Sequence, residues 1–122
     1  MSITVRNISK RFGRVEAVRD VSFDVAEGSL FAFLGENGAG KTTMIGCLTT
    51  VLRPDAGSVR IDGLTLGVND DEIRRRIGVV FQTSLLDAPL TVRENLRTRG
   101  IAYGLAGSAL ERRIDELARA LE

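Results

Sequence analysis

Cysteine occurs once in the 122 residues, at Cys47, so no disulfide can close within the chain. A reducing compartment is the expected setting, and Cys47 reads as a small core residue. No apolar run approaches the roughly 20 residues that a bilayer-crossing helix needs, and the N-terminus has neither the basic nor the hydrophobic stretch of a signal peptide. The expectation is a soluble, cytoplasmic chain that meets a membrane only through a partner. Neither sign of charge is in excess: 17 basic residues stand against 16 acidic ones. That balance removes the electrostatic case for nucleic acid or an anionic membrane as a direct partner. Lysine is scarce, with only Lys10 and Lys41. Internal repeats and low-complexity tracts are missing as well. At this length the chain is one domain in size, able to bury roughly two-thirds of its unfolded surface.

The most informative stretch is Gly35-Glu36-Asn37-Gly38-Ala39-Gly40-Lys41-Thr42, which fits the phosphate-loop pattern G-x-x-x-x-G-K-[ST]. Glycines let the backbone turn tightly and aim successive N–H groups inward, making an anion nest at the start of a helix. The helix N-terminus adds partial positive charge, and the Lys41 ammonium can reach the β- and γ-phosphates. Thr42 supplies a hard oxygen for Mg²⁺, and Thr43 a second phosphate contact. The alternative is a glycine-rich turn that matches by accident. Context argues against it. Leu30-Phe31-Ala32-Phe33-Leu34 is an unbroken apolar run, expected as a strand buried on both faces of a parallel sheet. After the loop, Met44, Ile45, Leu48, Val51 and Leu52 recur at helical spacing, so the order is strand, loop, helix.

Elsewhere, Ile3 and Val5, then Val21, Phe23 and Val25, alternate with polar residues as two half-buried strands, with a turn expected over Lys10–Arg14. The turn Arg53–Gly57 precedes a short strand Val59–Ile61, stopped by Asp62-Gly63 and expected at a sheet edge. Asn69 and Glu72 stand at capping-box spacing before a short helix through Arg76. Its Arg74-Arg75-Arg76 run reads either as a solvated face or as a phosphate or acidic-partner contact. Ile77–Phe81 is a second candidate buried strand, ending at Gln82. Thr91 with Glu94, and Ser108 with Glu111, form two further capping boxes. Behind the last, Leu110, Ile114, Leu117 and Leu121 trace one apolar stripe.

Taken together, these residues resemble the nucleotide-binding domain of ABC transporters, the ATP-driven subunits that power membrane transport. The likeness rests on Phe12 before Gly13, the loop Gly35–Thr43, Leu52–Gly57 followed by Ile61-Asp62-Gly63, Val80-Phe81-Gln82, and Leu90–Leu96. The resemblance implies an α/β fold: a P-loop NTPase core over residues 31–82, an N-terminal antiparallel β part over 1–30, and the start of a helical subdomain over 83–122. It also implies ATP and Mg²⁺ as ligands. Phe12 would stack on adenine, keeping the π face and lacking the hydroxyl of the family's more usual tyrosine. Its other reading is a buried turn aromatic. Gln82 would reach Mg²⁺ and the attacking water, where a glutamine ending a strand is otherwise a surface residue. Leu85-Leu86-Asp87 before Leu90-Thr91-Val92 looks like drug-resistance and polysaccharide exporters. In such subunits Leu85, Leu86 and Pro89 would face a transmembrane permease; ordinary core packing is the alternative. The parent protein would dimerise with a second ATP-binding domain, peripheral on the inner face of the cell membrane.

Several family parts are missing. No four apolar residues precede an Asp-Glu pair, no serine-glycine-glycine signature occurs, and the chain has no histidine to serve as the switch residue. The expectation is therefore an incomplete domain, the N-terminal portion of a cassette, that binds ATP without hydrolysing it alone. Competing readings are a non-hydrolysing nucleotide-binding module and the N-terminal half of a split chromosome-maintenance ATPase. A small-molecule kinase or GTPase shares the loop but not the surrounding pattern.

Overall fold

The computed structural model describes residues 1–36, 38 and 40–120. Two compact units divide the chain, Met1–Val79 and Val80–Glu122.

In the first unit, β1 (Ile3–Phe12) and β2 (Val15–Val25) make a long antiparallel hairpin. The turn expected over Lys10–Arg14 shrinks to Gly13-Arg14, because Lys10, Arg11 and Phe12 stay in the ladder opposite Val18, Glu16 and Val15. The opposite charges of Arg11 and Glu16 suit that register. On the other flank of β1 runs β3 (Ala56–Ile61), and the two-residue β4 (Leu64–Thr65) closes the order β2-β1-β3-β4. The strand expected at an edge is thus an inner one. Asp62 and Gly63 have φ of 47° and 79°, the pair of positive values that a tight hairpin turn demands, so β4 folds back and takes the edge.

Val5 and Ile8 of β1, which flank a register shift in the β1–β2 ladder, join Val18 of β2 and Val59 and Ile61 of β3 in one core. Met44 of α1 (Lys41–Leu48) and Ile73 of α2 (Asp70–Arg76) complete it. Each such side chain contributes about 1.5–3 kcal/mol by leaving water. The helical spacing after the loop is only partly used: Met44 and Cys47 are buried, whereas Ile45 and Val51 are exposed. Asn69 precedes α2 as expected, but no capping box forms there. Its Oδ1 accepts the Thr65 N–H at 3.1 Å, tying the helix to β4 instead.

Two expected strands are not strands. Residues 30–34 and 77–81 have no ladder partner among the described residues, and Leu30, Leu34 and Val80 are 99%, 92% and 100% exposed. A strand exists through its neighbours' hydrogen bonds, so apolar sequence alone cannot make one. What holds 30–34 is aromatic contact: Phe31 stacks on Phe23 with centroids 5.0 Å apart, and Phe33 meets both rings edge-on at 5.2 Å.

The second unit pairs α3 (Val92–Ala102) with α4 (Gly107–Ala120). Thr91 and Glu94 form the expected capping box. The Ser108–Glu111 box does not form, since α4 already begins at Gly107 and the Glu111 carboxylate is bound by Arg97 at 2.7 Å and Arg93 at 3.0 Å. Of the apolar stripe, Leu110 and Ile114 are buried and Leu117 is half-buried; Leu121 lies outside the described residues. Gly100 lets the helices approach, because a Cβ there would lie 2.3 Å from Leu110 Cδ1. The buried Asn95 ties the preceding loop to α3: its Oδ1 accepts the Asp87 N–H at 2.8 Å, and its Nδ2 donates to the carbonyls of Asp87, Leu90 and Thr91.

Two outcomes follow for this unit. Asn95→Ala leaves those backbone groups without their partner, so urea unfolding followed by helical circular dichroism should show a loss of about 1–3 kcal/mol. Unchanged stability would contradict the role given to the amide. Arg97 first, then Arg93, holds the Glu111 carboxyl below the usual range. Its folded value is thus below its unfolded one, so its stabilisation is present above pH ~4.3 and disappears as pH falls through the folded value. Glu111→Gln should therefore flatten the acid limb of stability against pH. An acid limb identical to that of the unsubstituted chain would refute this.

Candidate functional site

The glycine-rich loop is seated against β2. Gly40 has φ of 79°, and a Cβ at that position would lie 2.2 Å from the carbonyl oxygen of Ala17. Only glycine accepts both the left-handed backbone and that approach. Gly40 is also the N-cap of α1, so it brings no capping side chain, and the first turn carries no acidic residue. The first bond inside the helix runs from the Met44 N–H to the Gly40 carbonyl at 2.8 Å. The amides of Lys41, Thr42 and Thr43 precede it at the positive end of the helix.

Lys41 folds back over the loop, donating from Nζ to the carbonyls of Gly35 at 2.5 Å and Glu36 at 2.6 Å. Its ammonium is held above the turn that the glycines make. A cleft of about 170 Å³ opens here, lined by Ala17, Gly38, Gly40, Lys41, Thr42 and Thr43. Thr42 is exposed and Thr43 half-buried on the first turn. Asn37 and Ala39 of the motif lie outside the described residues. A wider cleft of about 580 Å³ lies between Thr50 and Asp70. Size would favour that one, but an anion is recognised by convergent donors, and these gather at the smaller cleft.

Ala17 is the residue that the sequence reading missed. Its contribution is a backbone oxygen and the lack of a bulky side chain, and no motif records either.

Phe12 ends β1, at the tip of the hairpin whose second strand carries Ala17. It is 48% exposed, so it is not the buried turn aromatic of the alternative reading. The Lys10 ammonium stands 5.6 Å from its ring centroid. Gln82 belongs to the second unit, exposed in a bend rather than at the end of a strand. Leu85, Leu86 and Pro89 are exposed there too. The Arg99 guanidinium donates to the Leu85 carbonyl, which fixes that loop to α3.

An ATP triphosphate with Mg²⁺ fits the donors of the first unit. The uncapped amide end, the absence of a first-turn acid and the poised ammonium suit polyanionic phosphate, and the exposed Thr42 hydroxyl offers the hard oxygen that Mg²⁺ prefers. No group of three or more His, Cys, Asp or Glu that could hold a metal unaided occurs among the described residues. A metal here would depend on phosphate oxygens and water for most of its shell.

The chain is similar to known proteins in sequence and in fold. NatA of Bacillus subtilis (strain 168), an ABC transporter ATP-binding protein, is 40% identical over 123 residues, spanning 96% of this chain and 50% of NatA. The doxorubicin resistance ATP-binding protein DrrA of Mycobacterium tuberculosis is 40% identical over 119 residues, spanning 96% of this chain and 36% of DrrA. The chain therefore covers between about a third and a half of the curated relatives it matches. Among solved structures, the dimeric bacterial ABC transporter cassette MJ0796 superposes with a TM-score of 0.82 at 29% identity, over 98% of this chain and 55% of that one. The ATP-binding subunit of an ABC transporter gives 0.78 at 33% identity, over 98% and 50%. These neighbours establish the α/β class, with an N-terminal antiparallel sheet followed by the loop and helices of a P-loop core. The family model for the ABC transporter matches residues 18–122, from the strand that seats the loop through α4, and the chain belongs to that family.

Proposed function

We propose that this chain supplies the nucleotide-binding part of the ATP-binding subunit of an ABC transporter. The observation that carries the reading is the loop Gly35–Thr43, anchored to β2 through Gly40 with the Lys41 ammonium held above it. In the proposed complex, Lys41 exchanges its two loop carbonyls for β- and γ-phosphate oxygens, a change from neutral to charged acceptors. Hydrogen bonds to charged groups contribute roughly 1.5–3 kcal/mol each. The amides of the first turn take the remaining phosphate oxygens, and Thr43 adds a side-chain contact. Phe12 offers its π face to the adenine. Thr42 is proposed as a ligand for Mg²⁺, and Gln82 as a further contact for the metal, which when bound would neutralise phosphate charge.

Hydrolysis needs more than these groups. Phosphoryl transfer to water requires a residue that orients the water and one that activates it. Gln82 is proposed for the first task, and no residue of this sequence matches the family's activating carboxylate. We therefore propose that the chain alone binds ATP without turning it over. In the whole subunit, two such domains would pair on the cytoplasmic face of the membrane and dock on a permease. Leu85, Leu86 and Pro89 are proposed for that contact, being apolar and exposed. Relatives named for doxorubicin resistance and Nod factor export favour an exporter.

Titration of ATP·Mg²⁺ by calorimetry should show at least about tenfold weaker binding for Lys41→Ala, given the magnitude of a charged hydrogen bond. An unchanged titration curve refutes the assignment of the loop. Purified chain incubated with ATP·Mg²⁺ should release no phosphate above background. Sustained release that vanishes in Lys41→Ala would overturn the non-hydrolysing reading.

A further inference from the structure

We infer that Lys10 and Asp55 are positioning residues for the nucleobase, acting through Phe12; this rests on the stacking role proposed for that ring. Lys10 is one of two lysines in the chain, and its side chain is only 16% exposed although it sits near the hairpin tip. Its Nζ lies 2.8 Å from Asp55 Oδ1. The second carboxylate oxygen of Asp55 accepts the Arg11 N–H at 2.8 Å, and the Asp55 N–H donates to the Ser9 carbonyl at 2.9 Å. One residue from the turn before β3 therefore grips three successive residues of β1: the backbone of Ser9, the side chain of Lys10 and the backbone of Arg11. Phe12 is the next residue.

The ammonium held by Asp55 also stands 5.6 Å from the Phe12 centroid, within the range in which a cation is attracted to a ring face. Lys10 and Phe12 flank a register shift in the β1–β2 ladder, between Lys10 and Arg11, and it is the observed approach of ammonium to ring that pairs them. The ring is thereby restrained by a cation that is itself restrained, while 48% of Phe12 remains open to solvent for a second stack. An exposed phenylalanine at a hairpin tip would otherwise lose rotamer freedom on binding a base; here much of that ordering is already present. Asp55 stays ionised at neutral pH, since first the Lys10 hydrogen bond and then the Arg11 amide hold its carboxyl below the usual range.

The test compares affinities for ATP and for inorganic tripolyphosphate, each with Mg²⁺, in the full chain. Tripolyphosphate engages the loop without a base, so the ATP-to-tripolyphosphate affinity ratio isolates the platform from folding and from the phosphate site. Lys10→Met and Asp55→Asn should each lower that ratio by roughly two- to fivefold, the size of an exposed cation–π contact. Lys10→Arg, which keeps the cation, should retain most of it. Asp55→Asn is the more telling variant. Removing a negative charge near a polyanion site would tighten both ligands if only long-range electrostatics acted, whereas loss of positioning weakens ATP relative to tripolyphosphate. Phe12→Ala is the control for the underlying reading. If Phe12→Ala lowers the ratio while Lys10→Met and Asp55→Asn leave it unchanged, the positioning role is overturned and stacking survives. If Phe12→Ala also leaves the ratio unchanged, the stacking role falls and this inference with it.

Discussion

Among the described residues of the first unit, every backbone ladder except the short β3–β4 pairing passes through β1. That strand pairs with β2 along one edge and β3 along the other, and it supplies Val5 and Ile8 to the core. Through β2 it fixes Ala17, whose carbonyl sets how closely the loop can approach. At its far end it presents Phe12, and through Ser9, Lys10 and Arg11 it is held by Asp55. The phosphate loop is thus hung from one side of a hairpin whose tip bears the candidate base platform. Strands buried by a shared core move little relative to one another, because packing tolerates no voids.

The loop itself has few partners. Its glycines permit the turn, one close contact with Ala17 locates it, and the Lys41 ammonium closes it through two carbonyls. As a proposed anion site, the loop would offer first-turn amides already in place, while the Lys41 ammonium would first release its two carbonyls. The second unit uses a different device. There the buried Asn95 and the Arg93, Arg97 and Glu111 group organise a loop and two helices by polar contact, with Leu110 and Ile114 the buried aliphatic anchors among the described residues. Exposed pairs of this kind are individually weak, so the amide of Asn95 carries much of that loop's definition.

Much of the site was legible in the sequence. The run Gly35–Thr42 could be read as a candidate phosphate loop because the required residues are consecutive, and the helix from Lys41, the Thr91–Glu94 box and the Asp62-Gly63 turn are equally local. The two central strand readings failed for a single reason. Leu30–Leu34 and Ile77–Phe81 have strand-like composition, but a strand requires neighbours, and none pair with them among the described residues. The Ser108–Glu111 box failed because Glu111 had a competing use that only the α3–α4 packing reveals.

By itself the sequence determined the chemistry on offer: a candidate phosphate loop, one ammonium, two threonine hydroxyls, an aromatic at a turn, and the family these belong to. Periodicity and turn residues determined which segments could be helices and hairpins, since those depend on near neighbours in the chain. Only the tertiary structure decided that Ala17 would seat Gly40, that Asp55 would reach across 44 residues to Arg11, and that Lys10 would stand over Phe12. Those contacts join residues far apart in the chain, and their pairing follows from strand register and core packing, which no local pattern encodes.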